Sequence, residues 1–274
     1  MPNAFPELYV TLPLSAFEEE GVCSKTGLTM GRMLDLITLA RAGQEKFTGV
    51  DVCLGERPLS DRDAREFADS ILARQLTVGT VVAPPAHTIQ RQEEFLQFVL
   101  RACGFAEILK RAGVRGRGII GINSLNAGPA TFQEATRIAS GYCERLVAHD
   151  GSCTNSLEDT VKIFEEVDMP GTFGFRVNIA TVQRYVKKSP GEEFHAAWER
   201  MISQLRPWTI DLHIAHCEKP EVVAGDWLQN AADRDIHHIS SDRLLLPNCN
   251  VRLQPTWNKI LLKMLEIREQ HGWN

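Results

Sequence analysis

Short apolar stretches alternate along this chain with longer stretches in which apolar residues recur every three or four positions. LYVTLPL (8–14) is a compact β-branched run and reads as a strand. LTMGRMLDLITLARAG (28–43) has helical spacing and stops at Gly43. GVDVCL (49–54) is again strand-like, and SDRDAREFADSILARQ (60–75) follows as a helix, with Ser60 and Asp61 suited to its N-cap. LTVGTVVAPP (76–85) is a strand halted by two prolines, QRQEEFLQFVLRACGFAEILKRAG (90–113) a helix, and GRGIIGINS (116–124) a strand. The pattern continues with a helix at 131–144, a strand at RLVAHDG (145–151), and a helix at 156–167 capped by Ser156. A strand at TFGFRVNIA (172–180) and a helix at 192–205 come next. Strand-like runs at 208–217 and 235–242 and a terminal helix at 255–272 complete the series.

Alternation of this kind predicts parallel strands joined by crossover helices, because parallel neighbours cannot be linked by a tight hairpin. Near-continuous apolar strands fit a sheet buried on both faces. About eight strand–helix units can be counted, the number that closes a barrel. The expectation is therefore an α/β protein, a (β/α)8 TIM barrel formed by residues 1–274 as a single domain, with a less regular second half. An open doubly wound sheet is the rival, and it is weakened by the lack of a glycine-rich phosphate loop after any strand.

One stretch tests the reading. DLHIAHCEK (211–219) sets His213 and His216 three residues apart. On a helix they would share a face; on a strand they point to opposite sides. WTIDLHIA is short and β-branched, so a strand is expected, with His213 near its C-terminal end and His216 in the loop above. In a parallel barrel those strand ends carry the chemistry.

Composition narrows the function. The net charge of −5 argues against a duplex nucleic-acid binder. No apolar run approaches the roughly 20 residues of a membrane span. Seven scattered cysteines and no basic–apolar leader predict reduced thiols and a cytoplasmic protein. Cys103 and Cys143 are expected as small buried residues.

The order of several stretches resembles the xylose isomerase-like TIM barrels, a superfamily of sugar isomerases, epimerases and abasic-site endonucleases. KFTGVDVCLGERPLSD resembles the family's second strand, LTVGTVVAPP its third, and AHDGSCTNSLEDTVKIFEEVDMPGTFGFRVNIA its fifth and sixth. DLHIAHCEK is similar to strand seven and AGDWLQNAADRDIHHISSD to the approach to strand eight. The resemblance implies a sugar or sugar-derived substrate and a divalent metal (manganese, magnesium or zinc). It places the metal histidine at His213, and the strand-six and strand-eight acids at Asn178 and Asp242. No carboxylate matches the strand-five glutamate, which falls near Val147 or Ala148. His149 and Asp150 follow and could substitute if the loop folds inward. His213, Asn178, Asp150 and Asp242 are thus the candidate metal ligands. Asp242 and Asp150 are also the candidate proton-transfer groups, and His149, Asn178, His216 and Asp51 the candidate substrate contacts. The helix before strand five and the loop after strand seven look shorter than is usual in the family.

These departures change the site's charge. Replacing two of three carboxylates by neutral groups leaves a dication undercompensated, so affinity for hard cations should fall. The leading expectation is a sugar isomerase or epimerase-like protein acting on a small polyhydroxylated carbonyl compound by metal-assisted proton transfer. A non-catalytic barrel kept for binding or assembly, and a metal-dependent abasic-site endonuclease-like hydrolase, are the alternatives. Homo-oligomerisation stays open.

Overall fold

The computed structural model describes residues 7–17, 28–39, 41–42, 45–84, 92–123, 127–149, 156–178, 185, 193–214 and 238–241. Among these residues, eight parallel strands run in chain order. They are β1 (Glu7–Pro13), β2 (Glu45–Cys53), β3 (Thr77–Val82), β4 (Ile119–Ile122), β5 (Arg145–His149), β6 (Phe173–Asn178), β7 (Thr209–Ile214) and β8 (His238–Ser241). Each pairs with its successor, and β1 pairs with both β2 and β8, so the sheet closes on itself. A two-residue antiparallel ladder, Arg41–Ala42 on Glu45–Lys46, leads into β2. Among the described residues the α-helices include α1 (Met30–Leu39), α2 (Asp61–Leu72), α3 (Gln92–Arg111), α4 (Pro129–Gly141), α5 (Leu157–Val167) and α6 (Phe194–Leu205). The closed parallel barrel agrees with the expected α/β TIM-barrel fold class. DLHIAHCEK is a strand as far as Ile214, while the terminal helix expected at 255–272 and His216 lie outside the described residues.

Alternation along each strand separates two cores. Leu8, Val10 and Leu12 of β1, Val50 and Val52 of β2, and Phe175 and Val177 of β6 face the helices. Ala64, Phe67, Ala68 and Ile71 are the buried face of α2, and Phe175 packs on Phe164 of α5 at 5.5 Å between centroids. A chain of rings continues around the shell: Phe95 on Phe132 at 5.8 Å, Phe132 on Phe173 at 5.5 Å, and Phe173 on Phe164 at 4.9 Å between centroids. Trp208 stacks on Phe164 at 5.8 Å between centroids. Each buried phenyl ring contributes about 1.5–3 kcal/mol through burial alone.

Helix ends obey local chemistry. The Ser60 hydroxyl accepts the Asp63 N–H at 3.1 Å, and Asp63 accepts the Ser60 N–H at 3.1 Å, closing a capping box. Ser60→Ala should therefore lower stability by about 1 kcal/mol in urea unfolding, and an unchanged midpoint would refute the role given to this cap. At the other end, α2, α3 and α4 stop in the same way. Gln75 (φ 55°), Gly113 (φ 90°) and Cys143 (φ 60°) turn left-handed. The next residue's N–H then reaches back to the helix: Leu76 to Ile71, Val114 to Leu109, and Glu144 to Ala139. Cys103 is buried as expected, but Cys143 is exposed, because its place in the left-handed turn points it away from the core.

Candidate functional site at the C-terminal end of the barrel

The inner face of the barrel is layered. In the lower layer Tyr9 donates its hydroxyl proton to Glu7 Oε2 at 2.6 Å and accepts one from Thr77 Oγ1 at 3.0 Å. Burial, with the Glu7 carboxylate beside it, pushes the Tyr9 phenol up from its ordinary range. Gly49 and Gly174 make room here. A side chain at Gly174 would meet Ile210 Cδ1 at 2.0 Å.

Above this layer lies a buried ion pair. Arg176 is 1% exposed and Asp51 0%. The Arg176 Nη1–H donates to Asp51 Oδ2 at 2.7 Å, and Nη2–H donates to Thr80 Oγ1. The Thr80 N–H donates to Asp51 Oδ1 at 2.9 Å. That amide is available because β3 slips in register: it takes three steps from Val78 to Val81 where β2 takes two from Val50 to Val52. The slip turns a ladder defect into a ligand for the carboxylate. Two charges inside a barrel are tolerated only with such full hydrogen bonding.

His149 and His213 share the same interior. His149 is the last residue of β5 and the register partner of Arg176; His213, next to last in β7, is the partner of Asn178. Both imidazoles are buried, and their ring centres lie 6.3 Å apart at 66°. His149 reaches inward without help from the following loop, because Gly121 on β4 leaves the space. A Cβ there would lie 2.6 Å from His149 Nε2 and 3.0 Å from Thr80 Cγ2.

The structure thus brings together His149, His213, Asp51 and the backbone of Asn178. Asp51 differs from its expected use, since both of its oxygens engage Arg176 and Thr80. Asp150, His216 and Asp242 lie outside the described residues. Sequence reasoning missed Arg176. The signal was present, as a single charge inside the apolar run TFGFRVNIA requires a buried partner.

Among the described residues, no three His, Cys, Asp or Glu side chains gather as a metal requires. Two imidazoles on one tetrahedral ion, at N–metal distances of about 2.1 Å, would hold their ring centres only about 5 Å apart. The described residues by themselves do not make a dication site.

No protein-family model and no curated protein matches the chain. Solved structures do. An AP endonuclease, family 2, from Brucella melitensis aligns with TM-score 0.58 and 16% identity over 92% of this chain and 98% of that one. A sugar phosphate isomerase/epimerase from Parabacteroides distasonis aligns with TM-score 0.57 and 10% identity over 95% and 93%. D-allulose 3-epimerase from Methylomonas sp. aligns with TM-score 0.57 and 11% identity over 98% and 99%. At such identities the likeness shows the fold alone: among the described residues, a closed barrel of eight parallel strands with helices around it.

Proposed function

We propose that the protein is sugar isomerase or epimerase-like, moving a proton between neighbouring carbons of a small polyhydroxylated carbonyl compound. The observation that supports this is the convergence of His149 and His213 at the C-terminal strand ends, 6.3 Å between ring centres, over a neutral ion-paired floor. A neutral imidazole nitrogen can accept a proton from a carbon beside a carbonyl. In this reading His213 works at the carbon and His149 hydrogen-bonds the carbonyl oxygen. Asn178, paired in register with His213, orients a hydroxyl. Asp150 and Asp242, which follow β5 and β8 in the chain, are the assigned carboxylates of the proton relay, and His216 is a substrate contact. Asp51 acts indirectly, by holding the floor. Manganese, magnesium or zinc would need Asn178, Asp150 and Asp242 in addition to His213, and no step is routed through such an ion.

Solvent-deuterium exchange into a panel of ketoses tests the proposal. The wild type should incorporate deuterium beside the carbonyl, and His213→Gln and His149→Gln should each slow incorporation by about a hundredfold or more. Incorporation that persists undiminished in both variants, or no incorporation into any ketose, would sink it. Asn178, an amide where the resemblance places an acid, favours a second reading as a non-catalytic binding barrel. In that case both variants change only unfolding midpoints. Strand cleavage at an abasic site in a DNA duplex would instead favour hydrolase chemistry.

A further inference from the structure

The opposite, N-terminal end of the barrel holds a separate cavity of about 300 Å³. It opens between the last turns of α3, at Ala106 and Leu109, and the approaches to β3, β4 and β5. Val78, Val114 and Ile119 give it apolar walls, and Glu144 lines it too.

Glu144 stands out by comparison with its own siblings. The three helix ends described above share one backbone design, and its final residue normally makes an apolar contact back to the helix. Leu76 and Val114 do so, each 6% exposed. Glu144 occupies the same place after α4 and is 8% exposed, so a carboxylate is buried where the fold elsewhere uses an aliphatic side chain. The residue before it, Cys143, holds φ 60°, a conformation that favours glycine. Gln75 holds the same left-handed turn after α2, so the departure particular to this end is the acid at Glu144, and it lines the cavity. Violations of this kind concentrate where a protein binds something.

Among the described residues, no hydrogen bond or ion pair reaches the Glu144 carboxylate. Burial raises its proton affinity; Lys110 and Arg145 are near enough to oppose that rise, and Glu107 adds to it. Lys110 is exposed, and its side chain and Arg117 belong to the same wall. The side chain is largely buried while its carboxylate faces the cavity, and Lys110 and Arg145 act on it without a described ion pair, so a cation entering the cavity gains a charged partner. The basic side chains beside it disfavour a simple amine and favour a molecule that also carries an acid.

We propose that this cavity binds a small zwitterion, its cationic nitrogen meeting the Glu144 carboxylate and its anionic group meeting Lys110 at the mouth. The site is independent of the chemistry assigned to His149 and His213.

Calorimetric titration of the full chain with glycine, β-alanine and γ-aminobutyrate tests it, with butylamine and butyrate as single-charge controls. At least one zwitterion should bind more tightly than either control. Glu144→Gln, which keeps the shape, should weaken that binding about tenfold or more, the loss expected for a charge-assisted hydrogen bond. Lys110→Gln should weaken it less. Glu144→Leu, which reproduces the Leu76 and Val114 arrangement, should abolish binding while raising the melting temperature, which shows that the fold survives. No binding by any zwitterion, a control that binds as well, or an affinity unchanged by Glu144→Gln would overturn the proposal.

Discussion

Arg176→Met is expected to lower the free energy of unfolding by about 3–5 kcal/mol, the loss seen when one member of a buried ion pair is removed. Asp51 would remain 0% exposed and keep the Thr80 N–H at 2.9 Å, but would lose the guanidinium that now lies 2.7 Å from Oδ2. Methionine fills much of the volume of the arginine stem, so the effect reports charge more than cavity. Urea unfolding at neutral pH, followed by circular dichroism, measures it; a change below about 1 kcal/mol would show that water or another group compensates the acid. The converse change is informative. Asp51→Leu combined with Arg176→Met removes both charges, and apolar replacement of a buried pair is often neutral or stabilising. The double variant should therefore recover most of the stability lost in Arg176→Met, giving a large coupling energy in the cycle.

Gly49→Ala should be comparably damaging for a different reason. An added Cβ would lie 2.3 Å from the Thr77 carbonyl oxygen, 2.5 Å from Thr77 Oγ1 and 2.5 Å from Tyr9 Cε1. Side-chain atoms can swing aside, but the carbonyl belongs to the β2–β3 ladder, where Gly49 is the register partner of Thr77. Overpacking against a fixed backbone costs about 3 kcal/mol at the upper end of its usual range. Thermal and urea unfolding should both record the loss. Thr77→Ala in the same chain should restore little of it, since the carbonyl remains. Substantial rescue by that second change would mean that the hydroxyl, not the backbone, sets the limit.

Much of this architecture is legible in the sequence because barrel strands and shell helices differ so plainly in period. The β-branched runs at 8–14, 49–54 and 172–180 and the caps at Ser60 and Ser156 are local features, and local chemistry fixes them. The site was legible only in part. His213 follows from its strand position. His149 enters the barrel because Gly121 on a neighbouring strand leaves a gap, a contact that lies outside its own segment. Asp51 looked like a substrate contact because its partner is 125 residues away and becomes adjacent only when the barrel is closed. Cys143 has the composition of a buried residue, but its left-handed turn overrides that preference.

The separation of Asp51 and Arg176 has a consequence for how the chain folds. A partial sheet of β1 to β4 carries the acid on its inner surface and lacks the guanidinium; a partial sheet of β5 to β8 carries the guanidinium and lacks the acid. The 2.7 Å contact between them forms only when the two halves meet. Making that pair is thereby tied to ring closure, and fragments expressed separately should each lack its stabilisation until mixed.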